Sequence, residues 1–195
     1  MTSNEEINVT KRNGRGFESL NIDKIHSMVG FATEGITGVS ASHVEMNSGI
    51  QFFDGVSTAD IQQILIKSAN DLITLESPNY QYVAARLLLF SLRKRLFHRL
   101  WEHPKFLDHI KSCIKKGMYD KDILVNYTEA EIDRLSGFID HERDYNFTYA
   151  GLRQVMDKYL VQDRSNGEIF ETPQFMYMMI AATLFANYDK DERLY

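Results

Sequence analysis

Cysteine is nearly absent: Cys113 is the only one in 195 residues. One thiol cannot build an internal disulfide framework, a CxxC zinc ribbon or a redox pair. Long hydrophobic runs are lacking too. The most apolar stretch, Phe175 to Phe185, spans 11 residues, short of the roughly 20 that a membrane-spanning helix needs. The start, MTSNEEINVTKR, has no apolar signal-peptide segment. There is no excess of positive charge: 22 Lys and Arg face 27 Asp and Glu, for a net charge of −5. A sequence-independent grip on a phosphate backbone needs a cationic face, so nucleic acid is not an expected partner. No P-loop, GxGxxG, nucleophile elbow or HExxH occurs. These absences point to a soluble, cytoplasmic protein with no membrane partner.

What is present suffices for folding. Hydrophobic residues make up 44% and charged residues 25%, with no long block of one sign. That composition supports a core and argues against disorder. The length suits one ordinary domain or two small ones. No repeat or low-complexity segment is visible, and the three prolines act as local punctuation.

Ile7 to Arg12 alternates apolar and polar residues before Asn13-Gly14, a strong short hairpin signal because both residues tolerate positive φ. Phe17 to Leu20 reads as the returning strand. Asn21 can cap a helix from Ile22 to Thr33, with Ile22, Ile25, Met28, Val29 and Ala32 on one face and Gly35 closing it. Ser40 can cap a second helix reaching about Phe52. Ser57 or Thr58 caps a third, striped by Ile61, Ile64, Leu65, Ser68 and Leu72. Ser77-Pro78 opens a fourth, from about Asn79 to Trp101, ending in Arg93, Lys94, Arg95 and Arg99.

The second half reads as mostly helical. One helix carries Phe106, Leu107, Ile110, Cys113 and Ile114 and closes at Gly117. Thr128 to Glu131 forms a capping box. Tyr149 to Tyr159 is helical, and a short hairpin turns through Asp163 to Gly167. The last helix, from Thr172-Pro173, is apolar nearly all round through Phe185 and demands burial on several sides.

Chemistry has few candidates. Lys11-Arg12 and Lys24 lie beside the hairpin and the first helix start, where free amides suit phosphate. Thr58 sits at a helix start and Lys94 late on a helix. Taken singly, each has an ordinary explanation: a solvated turn, a helix cap, a cation at a helix C-terminus. His98, His103 and His109 lack i, i+4 spacing, so no metal site is expected. The cluster His141-Glu142-Arg143-Asp144 reads as structural, and Cys113 on its apolar stripe as inert core.

Val9-Thr10-Lys11-Arg12-Asn13-Gly14 followed by Glu18 to Ile25 resembles the opening of an ATP-cone. Thr58-Ala59-Asp60-Ile61 and Pro78-Asn79-Tyr80-Gln81-Tyr82-Val83-Ala84-Ala85-Arg86-Leu87 continue the likeness in order. Tyr119-Asp120, Asp140 to Asp144, Lys158 to Val161 and Gly167 to Phe175 carry it onward. Nearly the whole chain resembles the N-terminal quarter of the large (α) subunit of class I ribonucleotide reductase, bacterial and bacteriophage type.

The resemblance implies an α+β, mainly helical fold: an ATP-cone over residues 1–98, built as a β-hairpin plus a four-helix bundle, then a helical segment over 99–195 with a second short hairpin. It implies an allosteric ATP or dATP site, with Mg2+, at Lys11, Glu18, Ser19, Leu20, Asn21, Ile22, Asp23, Lys24, Thr58 and Lys94. Val9, Leu20, Ile25 and Ile61 would wall the base. The catalytic cysteines of that family would lie beyond Tyr195, so no catalytic residue is expected here. The implied partners are the remainder of the α subunit, against whose barrel the last helix would pack, the radical-generating β subunit, and further copies in a homo-oligomer. The first hairpin is one residue longer than in relatives, around Arg15-Gly16-Phe17. Gln62 and Ser91 stand where some dATP-inhibited members carry histidines, which predicts weak discrimination between ATP and dATP. The alternatives are a stand-alone nucleotide-sensing module and a helical interaction domain.

Overall fold

The computed structural model describes residues 7–11, 16–49 and 52–193. Arg12, the Asn13-Gly14 turn and Arg15 lie outside the described residues. Two units make up the chain. One runs to Ser91 and includes Phe147–Leu152; the other comprises Leu92–Asn146 and the chain from Arg153 onward.

In the first unit, β1 (Asn8–Thr10) pairs antiparallel with β2 (Phe17–Ser19), setting Val9 opposite Glu18. Four helices follow: α1 (Ile22–Thr33), α2 (Ala41–Gly49), α3 (Thr58–Asp71) and α4 (Tyr80–Phe97). Asn21 caps α1 by accepting the Lys24 amide at 3.0 Å, and Gly35 takes the left-handed φ of 71° that stops it. Of the expected α1 face, Ile25, Val29 and Ala32 are buried, whereas Ile22 in the first turn stays 70% exposed. On α3 the buried face is broader than the expected stripe, taking in Gln62, Ile66 and Ala69 as well as Ile61, Leu65 and Ser68. Helix α4 ends earlier than expected, at Phe97, and Ile50 and Gln51 of the expected extent of α2 lie outside the described residues. Just past α4, His98 adopts a φ of 59°, a conformation that halts a helix.

The change of unit falls inside α4, after Ser91. From Val83 to Arg93 every α4 residue is buried except half-buried Arg86. Each fully buried leucine there, Leu87, Leu89 and Leu92, contributes about 1.5–3 kcal/mol.

The second unit is built from α5 (Phe106–Lys115), the short α6 (Ile123–Asn126), α7 (Glu129–Ser136), a 3-10 turn over His141–Asn146, the hairpin of β3 (Gln162–Asp163) with β4 (Glu168–Ile169), and α9 (Pro173–Leu184). Helix α8 (Tyr149–Lys158) has its first residues in the first unit and the rest in the second. Thr128 and Glu131 form the expected capping box on α7. The core gathers Phe106, Ile110, Cys113, Tyr127, Ile132 and Phe175. Neither α6 nor the 3-10 turn carries a periodic signal long enough to read from sequence.

Candidate functional site

The hairpin of the first unit is held on both sides. Beyond its pairing with β2, β1 runs along the loop before α3. The Thr10 amide donates to Val56 O at 3.0 Å and the Gly55 amide to Asn8 O at 2.8 Å. The Asn8 amide donates to Asp54 Oδ1 at 2.9 Å, and Thr10 Oγ1 donates to Gly55 O at 3.1 Å. A parallel bridge joins Thr10 to Ser57. Chain direction then sets Lys11, the next residue of one segment, beside Thr58, the next of the other. Thr58 is the first residue of α3.

Ser57 is the cap of α3. Its Oγ accepts the Asp60 amide at 3.0 Å and donates to Asp60 Oδ2 at 2.7 Å. Thr58 is therefore not the cap, and its hydroxyl is not committed to that role. The amides of Thr58 and Ala59, the first residues of α3, have no partner within the helix ladder, and the positive end of the helix dipole lies there. At the Asn8–Ser19 end of the hairpin, Ser19, Leu20, Asn21, Ile22 and Asp23 line a cavity of about 350 Å³ at the start of α1. Lys11 Nζ lies 3.7 Å from Glu18 Oε2, with both side chains well exposed. Such a surface pair is worth under about 1 kcal/mol, so an incoming anion displaces it at small cost.

The structure thus pairs Lys11 with Glu18 and, through the Thr10–Ser57 bridge, carries Lys11 toward Thr58, whereas the stretch from Ser19 to Asp23 runs on from the Asn8–Ser19 end of the hairpin. Lys24 is exposed in the first turn of α1. Val9, Ile25 and Ile61 are 2%, 7% and 6% exposed, so they are buried among the apolar residues of the first unit. Lys94 belongs to the second unit, where it is half-buried and has an interaction partner.

Gln62 and Ser91 are both core residues. The Gln62 amide nitrogen donates to Leu87 O at 3.1 Å and lies 3.2 Å from Met28 Sδ. It ties α3 to α4 and α1. Sequence reasoning missed this, since a lone glutamine in an apolar stripe carries no partner information. It also missed Arg86, which donates to Glu34 O at 2.6 Å and so neutralises the negative end of α1.

The second unit buries several titratable groups, among them Arg93, His109, Asp144 and Glu171. Arg93, 2% exposed, donates to Tyr145 Oη at 2.8 Å and to His141 O at 2.7 Å, and its guanidinium lies 3.9 Å from Asp144 Oδ2. Burial pushes Asp144 up to about 6. The His103 and His141 rings stack at 3.6 Å, and burial first, then neighbouring positive charge, lowers them to about 3 and about 4. Burial likewise raises the Cys113 thiol to about 11, which makes it a poor nucleophile. Among the described residues no group of three His, Cys, Asp or Glu is placed to hold a metal ion. None of their helices is long and apolar enough to cross a membrane.

Comparison with known proteins decides the family. Residues 7–95 match the ATP cone domain and residues 145–195 the ribonucleotide reductase all-alpha domain. The chain is 47% identical over 98% of its length to ribonucleoside-diphosphate reductase 1 subunit alpha of Escherichia coli, covering 25% of that protein. Identity to the reductase α subunit of Haemophilus influenzae is also 47%, over 98% of the chain and 25% of that protein. With the α subunit of Enterobacteria phage T4 it is 44%, over 91% of the chain and 23% of that protein. The chain belongs with the N-terminal region of class I ribonucleotide reductase α subunits. It spans about a quarter of the length of the curated relatives it matches. In this family setting the first unit holds nearly all of the cone match, and the second holds most of the all-alpha match.

Proposed function

We propose that this chain is the effector-binding N-terminal portion of a ribonucleoside-diphosphate reductase α subunit, with the cone over residues 1–98 and the helical segment over 99–195. The effector is ATP or dATP with Mg2+. The observation that carries the reading is the parallel pairing of β1 with the loop before α3. It supports a reading in which Lys11 lies beside the open first turn of α3, with the cavity at the start of α1 beyond the Asn8–Ser19 end of the hairpin. A cation, uncommitted amides and a helix N-terminus converging on one place suit a phosphate chain. Glu18 and Asn21 supply acceptors for ribose or base. Gln62, spent on internal hydrogen bonds, reaches no ligand, which supports weak discrimination between the two nucleotides.

No catalytic step falls to this chain. It acts by coupling: a nucleotide that binds one assembly better than another shifts the balance toward it, and the linkage is reciprocal. Its partners are the remainder of the α subunit, the radical-generating β subunit and further α copies, and its location is the cytoplasm.

Calorimetric titration of the chain with ATP and with dATP, beside Lys11→Ala, tests this. Saturable binding is expected, weakened about tenfold (about 1.4 kcal/mol) in the variant, with dATP within about tenfold of ATP. A hundredfold excess over Kd should stabilise the fold by about 2.7 kcal/mol. A folded sample that takes up neither nucleotide at millimolar concentration would overturn the reading.

A further inference from the structure

Lys11 follows β1 directly, and its amide donates to Gly16 O at 3.2 Å. The residue across the ribbon from it therefore carries no side chain. Lys11 shares a face of the ribbon with Val9, two residues back, and the register sets Glu18 opposite Val9 on that same face. Glu18 is thus the diagonal neighbour of Lys11, a backbone separation of about 7–8 Å that long side chains bridge. They do so here, with Lys11 Nζ 3.7 Å from Glu18 Oε2. That is ion-pair contact, and it is longer than a hydrogen bond.

The carboxylates of the loop before α3 and of its first turn are tied to partners of their own. Asp54 Oδ1 accepts the Asn8 amide at 2.9 Å, and Asp60 Oδ2 accepts the Ser57 hydroxyl at 2.7 Å. For Glu18, Lys11 is the one polar partner of the carboxylate among the described residues. A phosphate chain that approaches Lys11 meets this carboxylate. Displacing it breaks the pair. The displaced group stays anchored on β2, within about the 8 Å over which charges still act on one another in physiological salt. Glu18 therefore opposes a polyanion twice: it occupies the cation, and once displaced it repels the ligand.

We propose that Glu18 is a built-in competitor for the phosphate lysine, an autoinhibitory counter-ion that sets how much nucleotide is needed to fill the site. This rests on the proposed reading of Lys11 as a phosphate contact and adds to it the regulation of that same site. The two side chains are 47% and 37% exposed, so the competition is modest and reversible. It keeps Lys11 occupied when nucleotide is scarce and yields when polyphosphate is abundant. Once released, the same carboxylate is free to accept from ribose or base. Removing the charge of Glu18 should therefore tighten the hold on phosphate, whereas removing an ordinary phosphate contact weakens it.

The test is calorimetric titration of the chain with sodium tripolyphosphate, which has neither base nor ribose, at low salt and without divalent cations. The native chain, Glu18→Gln, Lys11→Ala and the double variant are compared. Glu18→Gln should bind about three- to fivefold tighter, the size of a surface ion pair. The gain should vanish in the Lys11→Ala background and shrink as salt is raised. Glu18→Ala should reproduce it, and melting curves show that each variant is folded. Unchanged or weaker binding by Glu18→Gln would overturn the inference, and so would a gain that persists without Lys11. ATP titrated into the same samples separates the failures. If ATP binds and Lys11→Ala weakens it, but Glu18→Gln holds tripolyphosphate no better than the native chain or neither holds it at all, the competitor role alone falls. If the native chain takes up neither ligand, or Lys11→Ala changes nothing, the nucleotide reading falls with it.

Discussion

Helices α4 and α9 are both apolar on almost every side, yet they finish in different surroundings. Along α4, ten of the eleven residues from Val83 to Arg93 are buried, including the arginine itself. Along α9 one face is buried, and the stripe from Tyr177 to Phe185 meets solvent. An apolar pattern states a demand for neighbours. It does not state who meets it. For α4 the described chain meets it; for α9 the chain meets half.

The strongest way to break that comparison is to attack the polar group that α4 carries into the interior. Arg93 holds Tyr145 and His141 O and lies near Asp144. Arg93→Ala should cost about 3–5 kcal/mol, because it leaves a buried carboxyl without its cation. Denaturant unfolding should show a lower midpoint at unchanged slope. Arg93→Met combined with Asp144→Asn, which removes both charges at similar volume, should recover much of the loss. A loss below about 1 kcal/mol for Arg93→Ala would mean that the buried polar cluster does little for α4.

The sequence made the skeleton legible where a local rule decides the outcome. Asn21 and the Thr128–Glu131 box cap their helices as expected, because a cap is a contact among neighbours in sequence. The two hairpins and the strong helical periods were legible for the same reason. The misses share a different cause. Gln62 bonding Leu87 O, Arg86 closing α1, and Arg93 lying beside Asp144 join residues 25 to 52 positions apart. No spacing rule announces such pairs. Of the candidate site, Lys11 and Thr58 were singled out separately, but only the Thr10–Ser57 bridge explains why they are neighbours. Val9, Ile25 and Ile61 are buried, and an apolar side chain beside a site looks the same in sequence whether it faces ligand or core.

Acid offers the next test of the surroundings of α4. Burial holds His103 at about 3 and both His109 and His141 at about 4, while an unfolded imidazole titrates near 6.5. Between those values the unfolded chain binds more protons, so stability falls as pH drops below about 6.5. Asp144 opposes this. Raised to about 6, it takes up its proton in the folded state first and adds stability as pH falls toward 4. Burial raises Glu171 as well, so three imidazoles face two carboxyls, and the balance is still a net loss. Melting temperature should decline steadily from pH 7 to pH 4.5, and His103→Gln with His141→Gln should flatten the decline. A melting temperature that rose over this range would show that the stacked imidazoles are not shielded from water.

The smallest effect belongs to α9 and makes the contrast sharpest. Leu184 is 69% exposed, so Leu184→Asp removes little burial. Surface substitutions of this kind usually stay within about 0.5 kcal/mol. The variant should unfold at nearly the native midpoint, in contrast to Arg93→Ala. The charge introduced on the stripe should instead appear as reduced retention on an apolar column. If Leu184→Asp destabilised the isolated chain by 2 kcal/mol or more, about the worth of a buried leucine, the stripe would be part of this chain's own core. The distinction between a helix satisfied at home and one awaiting a partner would then fall.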